Sequence, residues 1–265
     1  MLLEFDADQR LWQETVRDAV SKQCPASLIR DIAENGVDPA PLWNSYVEAG
    51  WTELTDQENA VELAIVLEEL GRATDPTPLL ATLTQYAPLV GERFDPLWAG
   101  GPPSTAGVTA VRDAEGWVLT GTDRFVLDGD RAERMAVVTP AGVFCVDRQT
   151  DSVDNPAITT RRVDVFDPVL HVAEVSFAGV HLADTERLPV DTERARHVAL
   201  MGMAITMVGG ACQRILDLAL EHAKSRQQFG VAIGTFQAIQ HKATDMFIAI
   251  ERARALSYFA ALTIA

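Results

Sequence analysis

Arg226-Gln227-Gln228-Phe229-Gly230-Val231-Ala232-Ile233-Gly234-Thr235-Phe236-Gln237 joins two long runs of helical periodicity and decides how the chain is organised. Downstream, Phe236, Ile239, Ala243, Met246, Ile250 and Ala253 recur at three- and four-residue steps, the mark of a stripe facing a helical bundle. Thr235 is placed to cap that helix. Upstream, the pattern predicts a helix from near Thr192 to Gln227, roughly 50 Å long at 1.5 Å per residue, with Gly202, Gly209 and Gly210 where a neighbour can come close. Two such helices cannot bury their apolar faces alone, so they need partners from this chain or another.

The N-terminal part reads as four helices. Phe5, Leu11, Trp12, Val16 and Val20 mark the first, which ends before Cys24-Pro25. A second starts at Asp38-Pro39 and stops at Gly50; a third runs from Glu58 to Leu70 with Gly71 as its stop; a fourth runs from Pro78 to Val90. Adjacent helix positions do not face each other, so Glu68 and Glu69 read as solvated charges. Ala99-Gly100-Gly101-Pro102-Pro103-Ser104 breaks the helical pattern. Short β-rich runs follow at Trp117–Leu119, Arg124–Leu127, Met135–Val138 and Val143–Val146, the last two joined by the turn Pro140-Ala141-Gly142. Runs at Arg162–Phe166 and His171–Phe177 extend them into a small antiparallel sandwich or barrel. The fold class is α+β, with a helical domain over 1–100, a β domain over 101–190 and part of a helical bundle over 191–265.

The formal net charge is −16 and the sequence pI about 4.6, which argues against nucleic acid and against an anionic membrane surface. No stretch reads as a membrane helix and Met1–Arg10 lacks a signal pattern, so the expected compartment is the cytoplasm. Cys24, Cys145 and Cys212 are too few and too scattered for a disulfide framework or a metal site and read as buried thiols. The five histidines form no metal-ligand pair.

Arg226-Gln227-Gln228-Phe229-Gly230 followed by Phe236-Gln237 resembles the Arg-x-x-Phe-Gly … Phe-Gln segment of the acyl-CoA dehydrogenase family, flavoenzymes that oxidise acyl-CoA thioesters between the α and β carbons. The resemblance implies a segment that crosses a subunit interface to hold a neighbour's FAD, with Arg226 on the phosphates and Gln227, Gln228, Phe229, Phe236 and Gln237 around it. A pyrophosphate calls for a fixed, planar, permanently charged donor, which arginine is. The turn alone leaves another reading open, in which Arg226 offsets a helix dipole and Gly230 is an ordinary helix stop. Val66-Leu67-Glu68-Glu69-Leu70-Gly71-Arg72 and Pro78-Leu79-Leu80-Ala81-Thr82 resemble the family's N-terminal helix pair, and Gly121–Gly129 resembles the strand beside its flavin ring.

Departures from the family are as informative. Phe125 stands where an aromatic packs on the flavin, but Leu127 stands where relatives place a hydrogen-bonding threonine. The Thr-Glu-x-x-x-Gly-Ser-Asp stretch has no counterpart; Gly101–Gly107 takes its place and reads as a surface linker. The loop after Gly50 is shortened. Dehydrogenation needs a carboxylate to take the α-proton. Relatives supply it from a C-terminal segment beyond Ala265, or from the position where this chain has Leu200, twenty-six residues before Arg226. Glu193 lies about two turns earlier and does not replace it. No catalytic residue is therefore assigned.

The resemblance thus implies a non-catalytic subunit of a heteromeric, α2β2 acyl-CoA dehydrogenase of the actinobacterial steroid type, sharing FAD with a homologous catalytic partner. The implied substrate is a bulky acyl-CoA and the family's usual electron acceptor is an electron-transfer flavoprotein. Three alternatives remain open. The apolar end Ser257–Ala265, without a glycine, proline or basic stop, suggests a chain that continues or an end covered by a partner; in the first case it is a homo-oligomeric dehydrogenase with its own glutamate. The others are a flavin monooxygenase and a flavin-free scaffold of the same fold.

Overall fold

The structure, a computed structural model, describes residues 4–91, 94, 98–100, 107–148 and 157–264. The segment 101–106, read above as a linker, lies outside them. The contacts gather the chain into two units: Met1–Asp31, Asp56–Asp75 and Leu200–Ala265 form one, Ile32–Thr55 and Pro76–Ala199 the other.

The first unit is helical. Helix α1 (Ala7–Gln23) opens with a capping box in which Asp6 and Gln9 satisfy each other's backbone N–H groups, and it ends at Cys24 as expected from Pro25. Helix α2 (Ala26–Asn35) follows at once, a helix not expected from the sequence. Helix α3 (Ala40–Glu48), which belongs to the second unit, ends at Gly50, which is left-handed at φ 75°. In α4 (Ala60–Ala73) every residue from Leu63 to Gly71 is buried. Gly71 is therefore no stop: a Cβ there would lie 2.1 Å from the Thr206 carbonyl oxygen. The reverse holds at Gly210, where a Cβ would lie 2.3 Å from the Glu68 carbonyl oxygen. Bare backbone on both sides lets two helices cross in contact.

Burial also corrects the reading of Glu68 and Glu69, which are each 2% exposed rather than solvated. Charges so placed must be paired. Glu69 accepts from Arg17 Nη2 at 2.7 Å and from its Nε at 3.1 Å, with Arg72 Nε at 3.7 Å. Glu68 accepts from Arg254 Nε at 3.0 Å and from the Tyr258 hydroxyl at 2.8 Å. Burial, then the adjacent Glu68 charge, pushes the Tyr258 hydroxyl well above its ordinary value, so it remains a donor.

In the second unit, after α5 (Leu79–Val90), two four-stranded sheets stack. One has the order β1 (Ala99–Gly100), β4 (Arg134–Thr139), β5 (Gly142–Asp147), β8 (Arg187–Leu188). The other has the order β2 (Val108–Arg112), β3 (Trp117–Leu127), β7 (Val172–Leu182), β6 (Ile158–Arg162), all antiparallel. Strand alternation divides the core: Met135 and Val137 point between the sheets with Leu119, Phe144 and Val175, while Ala136 and Cys145 face Tyr86 and Leu89 of α5. The Pro140-Ala141-Gly142 hairpin forms as expected, whereas the two short runs of 117–127 are one strand.

Helix α6 (Thr192–Ser225) is continuous over 34 residues and, contrary to the sequence reading, long and apolar enough by composition to cross a membrane. Its apolar centre is occupied otherwise, since Ile205–Cys212 is π-helical and lies on α4. Cys24 and Cys145 are buried as expected, but Cys212 is exposed.

Candidate flavin-binding hairpin

The helix α6 ends earlier than its periodicity suggests. Arg226 turns into extended backbone, and Gln227–Gln228 (β9) pairs antiparallel with Val231–Ala232 (β10). The two residues between them, Phe229 and Gly230, both have positive φ, 54° and 80°, the pattern of a type I′ hairpin. Glycine takes that conformation freely; phenylalanine does so under strain. The hairpin is tied down on both sides: Arg226 N–H donates to His222 O at 2.8 Å and Ile233 N–H to Arg226 O at 2.8 Å. Gly234 lies against Ala223, with space for a Cβ only 3.0 Å from its carbonyl oxygen. Thr235 does not cap a helix but donates to Ala232 O at 2.7 Å within a 3₁₀ turn, and α7 (Gln237–Ile264) begins two residues later.

Arg226, Gln227, Gln228, Phe229, Phe236 and Gln237 thus gather at one exposed tip. Phe229 is 93% exposed and meets Phe236 edge to face, centroids 6.2 Å apart. The Arg226 guanidinium has no acidic partner among the described residues. A cation and aromatic faces are displayed beside side-chain amides, of which Gln228 Nε2 donates to the Gln227 carbonyl at 2.7 Å.

Along α7 the predicted stripe is buried only at Ile250; Phe236, Met246, Phe247, Ile248, Leu256 and Phe259 are exposed, while Ser257, Tyr258 and Ala261 are covered. On α6, Leu200 is 57% exposed, and Glu193 is an exposed carboxylate 3.7 Å from His197. In the second unit, a one-residue bulge between Asp123 and Val126 turns Phe125 out to solvent, and Leu127 at the end of β3 brings no donor. A cavity of about 520 Å³ in that unit, lined by Trp98, Arg131, Arg162 and His171, contains none of these residues.

Residues 196–265 match the sequence model of the acyl-CoA dehydrogenase C-terminal domain. Over 260 residues the chain is 32% identical to acyl-CoA dehydrogenase IpdE2 of Mycolicibacterium smegmatis, covering 94% of this chain and 75% of that protein. The chain belongs to the acyl-CoA dehydrogenase family. Its fold is also that of the ChsE4–ChsE5 complex from Mycobacterium tuberculosis, at a TM-score of 0.85 with 19% identity, covering 99% of this chain and 79% of that one. A variant of the Tcur3481–Tcur3483 steroid ACAD gives a TM-score of 0.78 with 24% identity, covering 96% and 76%.

Acyl-CoA dehydrogenases are oxidoreductases acting on acyl-CoA, and their cofactor is FAD. The hairpin fits the phosphate-bearing half of that group: Arg226 is free to neutralise a pyrophosphate, and the Gln227, Gln228 and Gln237 amides can serve polar edges. At β3, which resembles the family's strand beside the flavin ring, the fit is partial, because Phe125 offers an aromatic face and Leu127 no hydrogen bond.

Proposed function

We propose that this acyl-CoA dehydrogenase chain is the cofactor-supporting subunit of a heteromeric enzyme and does not carry the catalytic base. The observation that carries the reading is the asymmetry between a complete, exposed and unpaired Arg226 hairpin and a leucine, Leu200, at the base position. Arg226 holds the phosphates of an FAD seated in a homologous catalytic subunit, in an α2β2 assembly. Gln227, Gln228 and Gln237 orient its polar edges, and Phe229 and Phe236 exclude water from its face. FAD held there would supply the acceptor for the β-hydride, and a carboxylate of the partner subunit would take the α-proton. The exposed apolar side chains of α7 supply a surface for such a partner, since exposed apolar side chains grouped on one helix mark an interaction surface.

The likeness in fold to the ChsE4–ChsE5 complex and to a steroid ACAD supports a two-subunit arrangement and a bulky acyl-CoA such as a steroid side-chain thioester. Electron-transfer flavoprotein is the acceptor and the cytoplasm the compartment in this reading. The test is the visible spectrum of the purified chain alone and after co-expression with a homologous dehydrogenase subunit. A colourless chain that gains stoichiometric FAD only in the complex is the expected result. Yellow protein that oxidises an acyl-CoA unaided overturns it.

A further inference from the structure

We propose that Arg254 is a positioning residue that holds the long helix α6 in its π register and so sets the direction in which the Arg226 hairpin projects. Between Ile205 and Cys212 the helix is π-helical, a form that accommodates one residue more than an α-helix spanning the same ends. Arg254, on α7, reaches into this stretch: its Nη2 donates to the Gly209 carbonyl at 3.3 Å and to Gln213 Oε1 at 3.1 Å. The guanidinium is itself held, because its Nε donates to buried Glu68 at 3.0 Å and Tyr258 binds the second carboxylate oxygen at 2.8 Å. Gly209 and Gly210 leave room for Glu68 to come this close.

The geometry has a consequence at a distance. An α-helix advances ~100° per residue, so absorbing or expelling one surplus residue rotates everything C-terminal to it by about that angle. Arg226 lies fourteen residues beyond Cys212 with continuous α-helix up to Ser225, so the rotation passes undiminished to the hairpin. At the helix surface a ~100° turn displaces a group by about 8 Å. Losing the Arg254 bonds frees the stretch to revert to α geometry and aims the hairpin elsewhere. The consequence for flavin rests on the function proposed above; the helix phase does not.

The test reads the phase directly. Spin labels at Gln228→Cys and Glu58→Cys, on a Cys212→Ser background, report the distance from the hairpin to the turn just before α4 without any cofactor. In Arg254→Met that distance should move by roughly 8 Å. Deleting Met207, an exposed residue inside the π stretch, removes the surplus residue, so the double variant should return to the parent distance. An unchanged distance in Arg254→Met overturns the proposal, and so does a double variant no closer to the parent than Arg254→Met alone. FAD content of the co-expressed complex is a separate readout: if the parent complex holds none, the proposed function fails while the spin-label result stands.

Discussion

Arg17 grips Glu69 side-on across α1 and α4, with Nη2 2.7 Å from one carboxylate oxygen and Nε 3.1 Å from both. The carboxylate is buried, whereas half of the arginine remains in water, and the hydrogen bond to Glu69 raises the Arg17 pKa above its ordinary value. Arg17→Ala would leave Glu69 facing only Arg72 at 3.7 Å. The expected loss is about 2 kcal/mol in urea unfolding, below the full cost of orphaning a buried charge because Arg72 remains and water can follow the vacated side chain.

Arg226 is exposed and without an acidic partner among the described residues, so its replacement leaves the fold intact. In the co-expressed complex, Arg226→Ala should lower FAD affinity by roughly ten- to a hundredfold, the worth of one charge-assisted contact to phosphate. Lysine should restore only part of it, since it lacks the planar fork. Flavin absorbance against protein, at constant melting temperature, reads the effect. Unchanged FAD would return Arg226 to the role of a helix-end charge.

Phe229 is strained at φ 54° and nearly fully exposed, so it contributes little burial in return. Phe229→Asn puts the residue that type I′ turns favour at that position and should stabilise the isolated chain by about 1 kcal/mol. If Phe229 covers the cofactor, the same change weakens FAD retention in the complex. Stability and binding moving in opposite directions would separate a functional residue from a structural one.

Asp217 gives the chain an acid limit. Burial alone pushes its carboxyl up, but hydrogen bonds from Gln213 at 2.8 Å and Arg72 at 2.7 Å outweigh it and hold Asp217 below the usual carboxylate range. A folded-state value lowered in this way stabilises the fold above the unfolded value, about pH 4, and that stabilisation disappears as pH falls through the lower folded value. Asp217→Asn should cost about 1 kcal/mol at neutral pH, with the gap to the parent closing below about pH 4 in denaturation series.

The parts legible in the sequence were those with local causes. Pro140-Ala141-Gly142 between two β-rich runs is a local turn signal, and Gly50 ends a helix by its own left-handed backbone. Helix α2 was missed because Pro25 reads as a stop, although Leu28, Ile29, Ile32 and Ala33 recur with helical spacing. The burial of Glu68 and Glu69 was not legible, since their arginines stand 186 and 52 positions away in the chain. Gly71 has the same explanation: its reason lies in the backbone of Thr206. At the hairpin the residues were recognisable as a motif, but not their common exposure or the positive φ of Phe229, which depend on where α6 stops.

The apolar side chains left bare on α7 also bear on how much of this protein a cell can keep. Met246, Phe247, Ile248, Leu256 and Phe259 in open solvent are the kind of surface that chaperones hold and proteases act upon. With α7 covered by a partner as proposed, a copy made in excess of that partner should be short-lived, and the steady-state level of the chain should follow the supply of its cover and not its own rate of synthesis.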